Sequence, residues 1–383
     1  MSVDVSACYK TTPNIALVKY WGKRDAQLNL PVNSSLSLTL ADNGVHTITK
    51  VRIADDLQTD VLVFNGVEKQ LSEDTKIQKL VQRFREIARE RSSSDMEKRN
   101  AYEKLANCCI RIETMNSFPT ASGMASSASG FACLAKALAD AYGVLNTEQE
   151  ESKLNAITRQ ASGSACRSLY GGLVHWKKGS KADGSDSVAH QVVDETYWST
   201  LRIGVCIVSH TVKSVGSTDG MNRCVATSPE MEIRKTDFVE ERIADAIQAY
   251  KSRDFDKLAS IIMAESDALH SICHSAKPSI EYLSNQSYYV INLVHFINAF
   301  FGRNLVAYSF DAGSNAFLFF EEKDESVLIP ILATLLNPQE TSFSLPQSIN
   351  SHVSECIAKW GREPISIRSF IATQVGCGPV HLP

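Results

Sequence analysis

Residues 118–130 read FPTASGMASSASG, and this stretch decides the fold that the sequence predicts. Its small side chains let backbone amides approach an anion closely, and apolar residues at helical spacing over 131–142 predict a helix that begins directly after it. The N-terminus of that helix would add the positive end of a dipole. Ser126 and Ser127 offer hydroxyls to a phosphate or a metal ion. The stretch therefore predicts a phosphate-binding loop. A Ser- and Ala-rich helix cap is the alternative, and a Walker loop is excluded because Gly-Lys-Ser/Thr is missing.

The flanking sequence mixes strands and helices without strict alternation. Apolar residues alternate with polar ones over 36–40 and 47–53, and Asn65-Gly66 follows an apolar run, so strands and a hairpin are expected. Further patterns predict helices over 77–88 and 154–165, a polar mobile loop over 91–99, a central strand over 201–209 and a buried helix over 287–302. This order favours an α+β, mixed-sheet architecture. We expect two domains, 1–198 and 199–383, with the boundary just before the strand at Leu201.

Composition excludes several classes of protein. The 383 residues are 44% hydrophobic and 21% charged, which is typical of a globular chain with a sizeable core. The net charge of −4 leaves no excess of positive charge for binding nucleic acid or an anionic membrane. Ten scattered cysteines without a Cys-x-x-Cys pair indicate reduced thiols and a cytoplasmic protein, and the N-terminal residues show no signal-peptide pattern.

Three further segments are candidates for chemistry. Residues 14–25, NIALVKYWGKRD, place three cations within six residues, and such a segment can clamp a polyanion or be an edge strand with solvated lysines. Arg167 lies among small residues and can hold a carboxylate through two hydrogen bonds, or be a surface arginine. Asp311 lies in a tight turn after an apolar run, where it can be a base or an Asx-turn residue.

Two other patterns are weaker. His270 and His274 lie one helical turn apart, but no Glu follows the first histidine and no cluster of further partners marks a zinc site. Cys166 precedes Arg167, which can lower a thiol pKa, yet no His or Asn context marks a nucleophile.

Together the segments resemble the mevalonate diphosphate decarboxylase family, within the superfamily of galactose, homoserine, mevalonate and phosphomevalonate (GHMP) kinases. The blocks NIALVKYWGKRD, FPTASGMASSASG, ASGSACRSLYGG and FDAGSNA occur in the family's order, with VNSSLSLTL and KSVGSTDGM between them. The resemblance implies a ribosomal-S5-domain-2-like N-terminal domain, a ferredoxin-like C-terminal domain and an active site in the cleft between them.

The same resemblance implies the site residues. The catalytic residues are expected to be Asp311, Lys19 and Arg167. The contacts to the substrate diphosphate are expected at Tyr20, Trp21, Gly22, Lys23, Lys76, Ser162, Gly163, Ser164, Ala165, Cys166, Arg167, Ser217 and Thr218. The ATP loop is expected at Ser122, Gly123, Met124, Ala125, Ser126 and Ser127, with Ser127 reaching Mg²⁺ only through bound ATP. Related enzymes often have an arginine after the Asn-Gly hairpin, and Lys76 is the cation considered for that contact here without a fixed register. A lysine would keep the charge and lose the bidentate geometry.

The implied reaction converts 5-diphosphomevalonate and ATP to isopentenyl diphosphate, ADP, phosphate and CO₂, a step of isoprenoid and sterol biosynthesis. The implied cofactors are ATP and Mg²⁺, and the implied assembly is a cytoplasmic homodimer. A kinase of the same superfamily that phosphorylates mevalonate or phosphomevalonate without decarboxylation is the first alternative. A catalytically inactive nucleotide-binding regulator is the second.

Overall fold

The structure, a computed structural model, describes residues 2–94, 98–118, 126–208, 213–344 and 349–383. These residues form strands and helices that confirm the mixed α/β class. The strands are β1 (Asp4–Thr11), β2 (Asn14–Val18), β3 (Lys23–Asp25), β4 (Leu30–Pro31), β5 (Ser35–Thr39), β6 (Thr47–Ala54), β7 (Val61–Phe64), β8 (Val67–Gln70), β9 (Cys109–Asn116), β10 (Leu173–Trp176), β11 (Ala189–Val193), β12 (Leu201–Ile207), β13 (Ala307–Phe310), β14 (Ala316–Glu321), β15 (Glu340–Thr341), β16 (Ser369–Gln374) and β17 (Val380–Leu382). The helices are α1 (Thr75–Ser94), α2 (Arg99–Asn107), α3 (Ser126–Ala141), α4 (Glu151–Ala161), α5 (Ser217–Thr227), α6 (Met231–Arg234), α7 (Phe238–Ser252), α8 (Phe255–Ser275), α9 (Asn285–Phe301), α10 (Glu325–Leu336) and α11 (Ser351–Lys359).

The first sheet has the strand order β17-β1-β6-β9-β7-β8. Its β7–β8 hairpin turns at Asn65 and Gly66, which both have positive φ (49° and 81°), as a tight two-residue turn requires. Helix α3 packs on β1 and β6 of this sheet, and α4 packs on α1 and α3. The apolar faces of all three helices form one core with the sheet, with residues such as Phe84, Leu138 and Tyr142. That core therefore holds α3, and the start of α3 follows the loop that the sequence marks for phosphate.

The second sheet, β11-β10-β5-β2, and the third sheet, β13-β14-β12-β16-β15, share a single core. The apolar run of β12 lies at the centre of the third sheet, as predicted. Helix α8 packs against both β2 of the second sheet and β13 of the third. The ends of these two strands, one from each half of the chain, are consequently brought together along one helix.

Some local predictions are wrong. Residues 91–94 are helical rather than a loop, because α1 continues to Ser94, and α2 begins at Arg99; residues 95–97 lie outside the described residues. The helix expected over 154–165 ends at Ala161 and is followed by a 3₁₀ segment, Gly163–Leu169.

The final strand returns to the first sheet. Residues of β17 pair antiparallel with β1, with Cys8 opposite Leu382. The two halves therefore interlock at the C-terminal end, and the division at 198/199 stays a prediction. Among the helices of the described residues, none combines the length and apolarity needed to cross a membrane.

Candidate active site

A cleft lies where the second and third sheets meet the starts of α3 and α5. Its lining comes from both halves of the chain and contains most of the residues that the sequence marks for chemistry. The lining residues are Asn14, Ala16, Lys19, Tyr20, Trp21, Lys23, Asn29, Lys76, Ser126, Ser127, Ala161, Ser162, Gly163, Ser164, Arg167, Lys213, Ser217, Thr218, Met221, Leu269, Asp311 and Ala312.

Lys19 and Asp311 form an ion pair at the bottom of this cleft. Lys19 follows β2 and Asp311 follows β13, so each strand end delivers one partner. Lys19 Nζ donates to Asp311 Oδ1 at 2.6 Å and to Ser309 Oγ at 2.7 Å. The Lys19 side chain is 2% exposed and that of Asp311 is 26% exposed. The carboxylate therefore faces the cleft while the ammonium is enclosed beneath it, and neither the solvated lysine nor the simple Asx turn describes these residues.

Burial and charge act in opposite directions on Lys19. Burial lowers the pKa of Lys19, and the neighbouring Asp311 carboxylate offsets part of that effect. The Asp311 carboxylate consequently stabilises the charged form of the ammonium.

Arg167 is buried, so the alternative of a surface arginine is wrong. It lies in the 3₁₀ segment, where Nε donates to Asn14 Oδ1 at 3.1 Å and Nη1 donates to Ser35 Oγ at 2.8 Å. Its guanidinium lies 5.7 Å from the ring centre of Trp176. Burial lowers the pKa of Arg167, and across the described residues no carboxylate forms an ion pair with it. A buried guanidinium held by neutral groups at the wall of a cleft is suited to bind an anion from outside the chain.

Further cations line the same cleft. Lys23 and Lys76 are close enough to repel each other, and burial together with this repulsion lowers the pKa of Lys23. Lys213 Nζ donates to Ser217 Oγ at 2.7 Å and to the Ala312 carbonyl at 3.1 Å. With Lys19 and Arg167 these lysines make the cleft strongly positive in a chain whose net charge is −4.

The packing of Tyr20 and Trp176 beside the cleft requires a residue without a side chain at Gly163. Tyr20 packs on Trp176 with ring centres 4.7 Å apart, and a Cβ at Gly163 would lie 2.6 Å from Tyr20 Oη. Within the described residues the buried Tyr20 Oη and Trp21 Nε1 have no hydrogen-bond partner.

The predicted ATP loop is described only in part. Ser126 and Ser127 begin α3 and line the cleft, and Ser127 Oγ lies 3.5 Å from Ser162 Oγ. Residues Ser122, Gly123, Met124 and Ala125 lie outside the described residues.

Some of the predicted contacts are not in the cleft lining. Gly22 turns with φ +99° and packs toward Val32, Val225 and Met231. Ala165 and Cys166 are buried behind the wall. Burial raises the pKa of Cys166 to about 12, which is opposite to the lowered value considered from sequence, since the effect of burial exceeds that of Arg167.

The two histidines have separate surroundings. His270 is buried edge-on against Phe310, and burial lowers its pKa to about 3. His274 Nε2 is 2.5 Å from Glu281 Oε2.

Sequence reasoning missed three residues that shape the site. Asn14 connects Arg167 to the Ser164 carbonyl and Ser168 Oγ. Asn14 and Lys213 begin the blocks NIALVKYWGKRD and KSVGSTDGM, but neither was assigned a role there. Glu265, fully buried, accepts a hydrogen bond from the Lys19 backbone amide at 2.9 Å. Its signal was available, because a glutamate interrupts the apolar stripe of α8 three residues after Ile262 and four before Leu269.

Comparison with family models covers nearly the whole chain. Residues 11–189 match the model described as "Diphosphomevalonate decarboxylase-like N-terminal domain". Residues 203–382 match "Mevalonate 5-diphosphate decarboxylase C-terminal domain".

Individual proteins give the same result. The human protein named diphosphomevalonate decarboxylase is 38% identical over 373 residues, which cover 96% of this chain and 91% of that protein. The solved structure of mevalonate diphosphate decarboxylase from Trypanosoma brucei has a TM-score of 0.87 and 35% identity, covering 99% of this chain and 98% of that one. A solved structure described as "MDDEF in complex with MVAPP, AMPPCP and Magnesium" has a TM-score of 0.75 and 28% identity, with 99% of both chains covered.

Proposed function

Because the chain belongs to the diphosphomevalonate decarboxylase family, we propose that it converts 5-diphosphomevalonate and ATP to isopentenyl diphosphate, ADP, phosphate and CO₂. The observation that carries the proposal is the cleft itself. The Lys19–Asp311 pair lines the same cleft as Arg167, which has no carboxylate partner among the described residues. One small substrate can therefore place its hydroxyl at Asp311 and its carboxylate at Arg167 at the same time.

The cleft fits ATP with Mg²⁺. Ser126 and Ser127 at the start of α3 line the same cleft as the cations Lys19, Lys23 and Lys213, and a triphosphate suits such surroundings. No cluster of three or more His, Cys, Asp or Glu side chains able to hold a metal is found in the part of the chain that the structure describes. Magnesium would therefore be held mainly by phosphate oxygens and water, as is usual for this ion. The MDDEF complex holds AMPPCP, MVAPP and magnesium together, which supports carrying ATP and Mg²⁺ over to this chain.

In the proposed reaction the tertiary hydroxyl of the substrate lies against Asp311. Bound ATP supplies the phosphoryl group that turns this hydroxyl into a leaving group. Asp311 orients the hydroxyl and accepts its proton, because its carboxylate is the partly exposed member of the ion pair. Lys19 lies beneath Asp311 and stabilises negative charge beside it. In phosphoryl transfer most of the catalysis comes from positioning and electrostatic stabilisation of this kind.

Arg167 fixes the substrate carboxylate. Asn14 and Ser35 hold the guanidinium from behind, so its plane is set before the substrate arrives. A carboxylate fixed in one orientation leaves as CO₂ when the phosphorylated oxygen departs, and its electron pair becomes the alkene.

The diphosphate is proposed to lie toward the other cations. The expected diphosphate contacts that line the cleft are Tyr20, Lys23, Lys76, Ser162, Gly163, Ser164, Ser217 and Thr218. Of these, Ser217 and Thr218 begin α5. Trp21 also lines the cleft, although its ring packs edge-on with Tyr282.

A coupled assay tests the proposal. Purified protein with diphosphomevalonate, ATP and Mg²⁺ should form ADP and CO₂ in a 1:1 ratio, and Asp311→Asn should form neither at a comparable rate. ADP without CO₂ from mevalonate or phosphomevalonate would instead assign the chain to the kinase alternative. Nucleotide binding without ADP formation from any of the three substrates would favour the regulator.

We also propose a homodimer in the cytoplasm. The ten cysteines are all free thiols, which suits a reducing compartment. Light scattering coupled to size exclusion should give twice the chain mass of 42.1 kDa, and a monomer mass would contradict the dimer.

A further inference from the structure

The main chain of Lys19 is held from both sides by a buried ion pair of the second half of the chain. Glu265 on α8 accepts the Lys19 amide N–H at 2.9 Å. Arg234, at the end of α6, donates to the Lys19 carbonyl at 2.6 Å and to both Glu265 oxygens at 2.9 Å. Asn33 Nδ2 also donates to that carbonyl, at 3.0 Å. Both polar groups on the backbone of Lys19 are therefore fixed by side chains, outside any sheet ladder.

The next residue of α8 holds the strand that carries Asp311. Ser266 Oγ accepts the Phe310 amide N–H at 2.9 Å, one residue before Asp311. Glu265 and Ser266 are adjacent, so one turn of one helix sets the ends of both β2 and β13. The 2.6 Å contact between Lys19 Nζ and Asp311 Oδ1 is fixed from this turn.

Two arginines, Arg234 and Arg242, balance the charge of the buried Glu265 carboxylate. Glu265 is fully buried, and burial alone would raise its pKa, but Arg234, the Lys19 amide and Arg242 outweigh burial and lower it. Arg242 donates to Glu265 Oε1 at 2.8 Å and makes no hydrogen bond to Lys19 among the described contacts. Arg234 and Arg242 thus share one carboxylate, while only Arg234 reaches the Lys19 carbonyl.

We propose that Arg234, Glu265 and Ser266 are positioning residues for the decarboxylation, because together they hold Lys19 and Asp311 in the geometry in which the pair meets the substrate. This inference rests on the proposed function. A displacement of about 1 Å in a reacting group can cost on the order of 100-fold in rate. Loosening the hold should consequently lower kcat and leave substrate affinity almost unchanged.

The matched variants are Arg234→Lys and Arg242→Lys. Both keep a positive charge near Glu265, but a lysine at 234 has one nitrogen in place of the planar fork, whose two nitrogens bond separately to Glu265 and to the Lys19 carbonyl. We expect kcat to fall about 10- to 100-fold in Arg234→Lys, with KM for diphosphomevalonate and ATP within threefold of wild type. In Arg242→Lys kcat should change less than twofold. Equal kcat losses in the two variants, or a loss confined to KM, would overturn the proposal.

A second pair of variants tests the proposal even where Arg234→Lys fails to fold. Ser266→Ala removes the acceptor of the Phe310 amide, and Ser275→Ala removes a hydroxyl on the same helix that bonds to Ser228 and the Ile272 carbonyl. We expect kcat to fall about 3- to 10-fold in Ser266→Ala and to stay within twofold in Ser275→Ala, with similar shifts in Tm. Identical kinetics in the two alanine variants would refute the role of Ser266.

Hydrogen exchange separates this inference from the proposed reaction. Peptides covering residues 14–25 should exchange faster in Arg234→Lys than in Arg242→Lys, whatever substrate the enzyme uses. Wild-type protein that releases no CO₂ would refute the proposed function alone. Unchanged exchange in this segment would refute the hold on Lys19 even when the reaction is confirmed.

Discussion

Replacing Asp311 by asparagine should affect both the rate and the stability of the protein. The substitution keeps the shape of the side chain and removes the carboxylate that pairs with Lys19 Nζ at 2.6 Å. Loss of a group that accepts a proton in the transition state typically costs about 10²- to 10⁴-fold in rate. That range equals about 2.7 to 5.4 kcal/mol at about 1.36 kcal/mol per tenfold. The loss should appear in kcat and leave KM nearly unchanged.

The cost in stability follows from the burial of Lys19. Removing one partner of a fully buried ion pair lowers the free energy of unfolding by about 3 to 5 kcal/mol. Because the Asp311 side chain is 26% exposed, we expect a smaller loss for this pair, about 2 kcal/mol. The cost should depend on pH. The pKa of Lys19 is below its ordinary value in the folded state, so the unfolded chain binds that proton more tightly and stability rises with pH.

Without Asp311 the pKa of folded Lys19 falls further, because burial then acts with less opposition. The variant can release the proton at a pH where wild type still holds it. The difference in unfolding free energy between the two proteins should therefore be largest near pH 6 and shrink toward pH 10, by at most about 1.36 kcal/mol per pH unit.

Urea unfolding from pH 6 to 10 measures this difference, and Asp324→Asn is the matched control. Asp324 is buried in an ion pair with Arg303, which does not deprotonate in this range, so its cost should be independent of pH. The double variant Lys19→Met/Asp311→Asn should also lose the pH dependence. A difference for Asp311→Asn that stays constant from pH 6 to 10 would refute the electrostatic account of the pair. A kcat within tenfold of wild type would remove Asp311 from the mechanism.

Three further changes test other parts of the site. Arg167→Lys should lower kcat/KM about 10- to 1000-fold with little change in Tm, because an ammonium cannot reproduce the bidentate hold on a carboxylate; equal losses of activity and Tm would make Arg167 structural. Gly163→Ala should raise KM for diphosphomevalonate and cost about 1 to 3 kcal/mol of stability, since the new Cβ would lie 2.6 Å from Tyr20 Oη; kinetics and urea unfolding like those of wild type would contradict the close packing. Iodoacetamide at pH 8 should alkylate exposed Cys377 and spare buried Cys166, whose thiol has a pKa of about 12, and mass spectrometry of the labelled peptides checks this.

The fold was predictable wherever a short pattern sets the backbone. Alternation marked β5 and β6, and Asn65-Gly66 marked the hairpin, because each needs only neighbouring residues. The stretch 91–99 was predicted wrongly for the same reason. Its serines and charges favour a loop locally, yet the buried face of α1 continues to Ser92. Packing of that helix on the first sheet outweighs the propensity of its last turn.

The candidate site was predictable by residue, and its geometry was not. Lys19 and Asp311 are 292 residues apart in sequence, and no periodicity connects them. What brings them together is the packing of α8 on β2 and β13, which depends on the whole core shared by the second and third sheets. A local sequence feature that reflects this arrangement is the pair Glu265-Ser266 on the apolar face of α8. A buried charge is costly unless it is paired, so a glutamate on such a face implies that partners come from elsewhere in the chain. Here those partners are Arg234, Arg242 and the Lys19 amide, and a polar interruption of an apolar stripe is the local sequence feature that would have pointed to the support beneath the site.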